Sequence, residues 1–148
     1  MPTPHDVAKY FLAKCDPEDG DEMSNLKVQK LVYYAQGFHL AVMGEPLFPD
    51  DIYAWAHGPV IPELYQSFKE NGSDHIPAPT DFDPEAVFTA EQRELLDEVY
   101  ESYGQFSAWK LRNMTHAEAP WKDADARGYS LVITHEALRT FFLTRLVG

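Results

Sequence analysis

Ser24-Asn25-Leu26-Lys27-Val28-Gln29-Lys30-Leu31-Val32-Tyr33-Tyr34-Ala35-Gln36-Gly37-Phe38-His39-Leu40-Ala41-Val42-Met43-Gly44 is the stretch whose reading decides the fold. A serine at its head supplies the side-chain oxygen that caps a helix N-terminus. A glycine at its end accepts the left-handed backbone that closes a helix. Between them Leu31, Ala35, Phe38 and Val42 recur at helical spacing and predict one buried stripe, with Tyr33 and Tyr34 on either side of it. Gly37 inside the helix costs up to about 1 kcal/mol against alanine, so a neighbouring element is expected to pack closely there.

Upstream, Thr3-Pro4-His5-Asp6 reads as an N-cap, a proline at the first helical position and an acid in the first turn. The helix it opens carries Val7, Phe11 and Leu12 and ends near Cys15. The acidic run from Asp16 to Glu22 is a loop, and its Gly20 and Lys27 fall at the wrong places for a calcium loop. Downstream, Leu47-Phe48 and Ile52 to Trp55 are expected to form a hairpin around Pro49-Asp50-Asp51. Gly58-Pro59 then opens a helix with Ile61, Leu64, Tyr65 and Phe68 on one face and Gly72 as its stop. Ser73 to Phe88, with three prolines, reads as a loop. Thr89-Ala90-Glu91-Gln92 has the form of a capping box, and its helix buries Leu95, Leu96, Val99 and Tyr103 before Gly104. Ser107 starts a helix carrying Trp109, Leu111 and Met114. Thr115-His116-Ala117-Glu118 is expected to be a second capping box leading to Pro120 and Trp121. Tyr129 to Ile133 is a candidate strand beside the hairpin, and Thr134 caps a last helix with Leu138, Phe141, Phe142 and Leu146 inward. The expected fold is mainly α with minor β, a compact set of five to six helices with a small hairpin or sheet. Residues 1–148 are read as one domain.

The 148 residues suffice for a self-contained core. With one cysteine, Cys15, neither an internal disulfide nor a cluster of thiolate metal ligands can form within the chain. No secretory signal pattern or membrane-length apolar run is present, so a cytoplasmic protein is expected, with no membrane partner. The formal net charge of −12, from 24 acids against 12 lysines and arginines, disfavours direct nucleic-acid binding by this chain alone. It suits a solvated acidic face, or a surface that steers towards a basic protein.

Catalytic motifs are incomplete. His135-Glu136 lacks the second histidine of a helical zinc site, and His116-Ala117-Glu118 lacks the paired cysteines of the zinc deaminases. Cys15 reads as a small buried apolar residue. His39, His57 and His116, with Glu63 or Glu118, are the only residues whose meeting in space would suggest a metal. Without motif spacing the expectation is no metal, no cofactor and no enzyme. The aromatic side chains carry more information. Nine Phe, eight Tyr and three Trp supply core burial, and Tyr and Trp are also the residues enriched in binding hot spots.

At this point the motifs resemble those of a known family. Lys27-Val28-Gln29-Lys30-Leu31-Val32-Tyr33-Tyr34-Ala35-Gln36-Gly37-Phe38-His39 is similar to the K-x-Q-K-L-x-Y-x-A-Q-G-x-H segment of SocA-like (Panacea domain) antitoxins, some of which are also called GepA-like phage-associated proteins. Ala54-Trp55, His57-Gly58-Pro59-Val60, Pro62-Glu63-Leu64-Tyr65 and Thr115-His116-Ala117-Glu118-Ala119-Pro120-Trp121 follow in the family's order. Phe38 stands where the family often has tryptophan. The resemblance implies a toxin–antitoxin role, with a cognate toxin protein neutralised by direct contact. The expected contact residues are Tyr33, Tyr34, Trp55, His57 and Trp121. Gln29, Gln36, His39, Gly58, Pro59, Thr115, His116 and Glu118 are the accompanying motif positions. The alternatives are a phage or mobile-element interaction protein, such as an adaptor that delivers a client to a protease, and an enzyme using His57, His116 and Glu118; a homodimer is a further partner option. A self-sufficient core predicts one cooperative unfolding transition in calorimetry, and two separated transitions would contradict it.

Overall fold

In the computed structural model, which describes residues 1–19 and 22–146, the long helix lies at the centre. Helix α1 spans Pro4–Lys14 and helix α2 spans Asn25–Met43. A short antiparallel sheet follows, with β1 at Ile52–Trp55 and β2 at Gly58–Val60. Then come α3 (Pro62–Phe68), α4 (Pro84–Val87), α5 (Ala90–Tyr103), α6 (Ala108–His116) and α7 (Ala119–Arg127). Strand β3 (Val132–Ile133) and α8 (His135–Leu143) complete the described residues. The fold is mainly helical with a small sheet, as expected. No helix among the described residues is long and apolar enough to cross a membrane.

Helix α2 begins and ends where its caps require. The Ser24 hydroxyl accepts from the Lys27 N–H, and Gly44 closes the helix at φ 75°. Around it pack α1, α3, α5, α6, α8 and β2. A single stripe does not describe this helix, since fifteen of its nineteen residues are buried. Of the expected stripe, Leu31 and Ala35 are fully buried, Phe38 is half-buried and Val42 is 56% exposed. A helix surrounded by its neighbours hides polar positions too, so spacing alone does not pick out its inner face.

Those polar positions hold the surrounding chain by side-chain bonds to backbone. Gln36 donates to the Phe48 carbonyl at 2.8 Å and accepts from the Leu47 N–H at 2.8 Å. Gln29 accepts from the Ile61 N–H at 3.0 Å. Lys30 donates to the Pro59 carbonyl at 3.1 Å, and Lys27 to the Gly104 carbonyl at 2.6 Å. Each leaves a buried backbone group stranded if removed, at a cost of about 1–3 kcal/mol. The Gln36 pair also explains why Leu47-Phe48 is not the first strand of a hairpin. Its backbone is bonded to a helix side chain instead of to a strand, and both side chains are buried.

The hairpin is instead β1 with β2, turning at Ala56-His57, with Tyr53 opposite Val60 and Trp55 opposite Gly58. Pro59 lies opposite Ala54 on an edge strand, and the Ala54 N–H points the other way, to the Leu131 carbonyl. The missing proline N–H is therefore not needed. Strand β3 pairs with the other side of β1, Ile133 opposite Ile52. Gly58 is at φ 112°, and a Cβ there would meet Lys30 Cε at 2.6 Å and Thr115 Oγ1 at 2.9 Å.

Three further expectations are corrected. Ser73 to Phe88 contains the turn of helix α4, capped by the Asp83 carboxylate. Thr115-His116-Ala117-Glu118 is not a capping box: Thr115 lies inside α6 and donates to the Arg112 carbonyl at 2.8 Å, while Glu118 starts α7 without a side-chain cap. Leu146 lies beyond α8 and is exposed, although Leu138 and Phe142 are buried as expected. Gly37 does have a close neighbour: the ring of Phe142 occupies the space a Cβ would take. Gly37→Ala is expected to lower stability by about 1–3 kcal/mol in urea denaturation through overpacking; an unchanged midpoint would show that the ring moves aside freely.

Candidate functional site

Glu118 organises one side of the molecule. Its two carboxylate oxygens accept from the hydroxyls of Tyr33 at 2.9 Å and Tyr34 at 2.8 Å. The two rings meet edge to face at 5.0 Å, and Tyr34 stacks on Tyr103 at 4.1 Å. Burial raises the Glu118 carboxyl above its ordinary range, against the opposing pull of the Tyr34 and Tyr33 bonds and of Arg145. Burial and the neighbouring Glu118 hold both tyrosine hydroxyls well above theirs. All three groups thus tie the start of α7 to the middle of α2. Tyr33 and Tyr34 are 0% exposed, so in this conformation they support a surface from within and do not form part of it.

From α7 the chain of contacts reaches the hairpin. The Trp121 indole N–H donates to the Trp55 carbonyl at 2.8 Å, and the Trp121 ring stacks on His116 at 3.9 Å. The Trp55 indole N–H donates to the Ser130 hydroxyl at 2.9 Å, and its ring meets Tyr65 edge to face at 5.3 Å. Trp55, His116 and Trp121 are half-buried; His57, at the tip of the hairpin, is exposed. The structure therefore brings Trp55, His57, His116 and Trp121 together near the hairpin and places the two tyrosines beneath them.

Under the hairpin, Lys30 is fully buried. Burial pushes its amine down to about 7, helped by the Arg112 guanidinium. Basic residues are expected in solvent, and nothing in their order along the chain marks this one as buried. His39, another motif residue, lies apart from this group. Its Nδ1 donates to the Glu45 carbonyl at 2.6 Å and its Nε2 lies 3.3 Å from the Gln92 amide nitrogen. That leaves a neutral ring as the consistent form, in keeping with a pKa lowered by burial. His39, His57 and His116 do not converge, and no group of three or more His, Cys, Asp or Glu among the described residues is placed to hold a metal ion. Cys15 is buried at the end of α1.

Trp55 and His57 also border a groove of about 730 Å³. Tyr65 of α3 lines the same side, and Phe106 and Trp109 at the start of α6 line the other. Trp109 is 60% exposed. Helix α6 buries only Leu111 and Thr115.

Comparison with known proteins places the sequence in a family. The family described as antitoxin SocA-like, Panacea domain, matches residues 28–122, from the first turn of α2 to the residue after Trp121. The chain belongs to the SocA-like antitoxin family. The match includes Gln29, Lys30, Gln36 and His39 of α2, the hairpin, Glu118 and Trp121, and leaves out Asn25, Lys27, α1, β3 and α8. Antitoxin SocA of Caulobacter vibrioides (strain NA1000 / CB15N) is 41% identical over 70 residues, covering 47% of this chain and 37% of that protein. The shared segment is thus little more than a third of the relative's length. No solved structure matches the chain.

In this SocA-like fold the buried Lys30 gives a pH signature. Its folded pKa lies below its unfolded value, so between about pH 7 and 10 the unfolded chain holds more protons and stability should rise with pH. The expected slope is up to about 1.4 kcal/mol per pH unit. Above pH 10 the buried tyrosines reverse the trend, because the folded state then keeps protons that the unfolded state loses. Urea melts across this range check it, and Lys30→Met should lack the rise.

Proposed function

We propose that this chain is an antitoxin that neutralises a cognate toxin by binding it directly, without turnover. The family membership carries this reading, and the nature of the motif residues supports it. Those residues tie together a helix, a hairpin and a turn through buried hydrogen bonds, and they end in a surface of half-buried aromatic rings with an exposed imidazole. Such a surface gives large contact area for little loss of side-chain freedom. The name of the Caulobacter relative adds to the case, over the third of that protein that aligns.

The contact surface in this proposal is the hairpin tip and the start of α7. His57, Trp55 and Trp121 touch the toxin there, while Tyr33, Tyr34 and Glu118 hold the surface in place. Gln29, Gly58, Pro59, Thr115 and His116 keep the hairpin in place above α2, and Gln36 holds the segment before it. The acidic surface favours encounter with a basic toxin, mainly through the association rate.

The test first asks whether a reading frame beside this one encodes a growth inhibitor, and then pairs the chain with that protein. Purified toxin titrated with this protein should lose activity at an end point near one to one, and an end point far below that would indicate turnover. His57→Ala should keep the wild-type melting temperature, because the side chain is exposed, and should weaken binding by about 2 kcal/mol, roughly thirtyfold. Trp55→Ala and Trp121→Ala should lose stability as well as protection, since each also removes a tertiary hydrogen bond. A folded His57→Ala protein that protects cells fully would rule out the hairpin tip as the contact.

A further inference from the structure

We infer that Ser130 is a positioning residue for the proposed contact surface: its hydroxyl, by holding the Trp55 indole N–H, sets the direction in which that ring meets the toxin. The inference rests on the antitoxin reading in taking the partner to be the toxin.

The backbone supplies the first observation. Ser130 lies at φ 53°, and among the described residues no other residue except glycine has a positive φ. An L side chain is strained in that region, whereas glycine enters it freely. Such a conformation persists only where the surrounding structure holds it, and it gathers at functional sites. Hydrophobic burial does not hold this turn, since Tyr129 is 91% exposed and Leu131 38%. Strand β1 does. The Leu131 carbonyl accepts from the Ala54 N–H at 2.9 Å, and the Ser130 hydroxyl accepts from the Trp55 indole N–H at 2.9 Å. The first bond is backbone to backbone and asks nothing of the side chain at 130. The second needs the serine hydroxyl.

The other observation is what that bond does to Trp55. Pairing with β2 fixes the Trp55 backbone opposite Gly58, and its carbonyl accepts from the Trp121 indole N–H. The two rotatable bonds of the side chain are left to be set. Tyr65 meets the ring edge to face at 5.3 Å. Aromatic pairs favour edge-to-face and offset arrangements alike, so Tyr65 alone admits more than one ring direction. A hydrogen bond weakens steeply off line, so the bond at Nε1 selects one of them. A ring already held in its bound direction loses less freedom when a partner arrives. Ser130 lies beyond the segment that matches the family, which ends at residue 122. The direction of a motif tryptophan is thus set from outside that segment.

Ser130→Gly tests this, because it removes the hydroxyl and relieves the backbone together. The variant should melt close to the wild type, since the two effects offset each other. In proton–nitrogen correlation spectra the Trp55 indole signal, recognised by its absence from Trp55→Phe, should shift and exchange with solvent faster. Affinity for the growth inhibitor from the adjacent reading frame, measured by calorimetry, should fall roughly threefold or more. In the Trp55→Phe background, which lacks the indole N–H, Ser130→Gly should cause no further loss. An unmoved indole signal, an unchanged affinity, or losses that add in the double variant would each overturn the assignment. So would a melting temperature that falls with the affinity, because Ser130 would then be a structural residue only. The two readings fail separately. If the wild type binds the inhibitor and Ser130→Gly binds it equally well, the positioning role is wrong and the antitoxin reading stands. If the wild type binds no such inhibitor while the indole signal responds to Ser130→Gly, the antitoxin reading falls and the hold of Ser130 on Trp55 remains.

Discussion

A helix buried on nearly every side can carry polar side chains only if each finds a partner within the protein. Helix α2 carries Asn25, Lys27, Gln29, Lys30, Gln36 and His39 in buried positions, and for each a hydrogen-bonding partner lies outside the helix or beside it. Most of those partners are backbone groups of loops and strand ends. The arrangement turns one helix into the frame from which the hairpin, the 46–48 segment and the turn before α6 are hung. The positions that look like a recognition motif in sequence are, in the folded chain, mainly the fixings of that frame.

The surface above the frame follows from it. Lys30 holds the Pro59 carbonyl, and Gly58 leaves no room for a side chain between Lys30 and Thr115. The hairpin is therefore pinned at its second strand, and His57 is exposed at its tip. Glu118 fixes the other border by accepting from two tyrosines of α2, and Trp121 then reaches back to the Trp55 carbonyl. Buried networks of this kind make a surface rigid, which lowers the entropy lost when a partner binds. A rigid aromatic edge on a helical support is well suited to holding another protein.

Charge divides the same surface into regions. Acids predominate over the chain as a whole, and the hollow beside α5 is lined by Glu45, Glu91, Glu94 and Glu98. The broad negative field acts over a Debye length of about 8 Å at physiological ionic strength and influences encounter.

Much of this protein was legible from residue order. The caps at Thr3, Ser24, Thr89, Ser107 and Thr134 all form, because a capping side chain bonds to an N–H two or three residues away and needs nothing else. The family was legible too, since several motifs recur in one order. What order could not decide was which buried backbone group each polar side chain of α2 would meet. Leu47-Phe48 looks like a strand until Gln36 takes its hydrogen bonds, and Thr115-His116-Ala117-Glu118 looks like a capping box until Tyr33 and Tyr34 take Glu118. The same holds for the site, where Tyr33 and Tyr34 go inward and Trp109 outward although all three sit on helices beside apolar neighbours. Local hydrogen bonds are written in sequence spacing; a contact between residues 85 positions apart, such as Tyr33 with Glu118, exists only once the helices have packed and made that partner the nearest one.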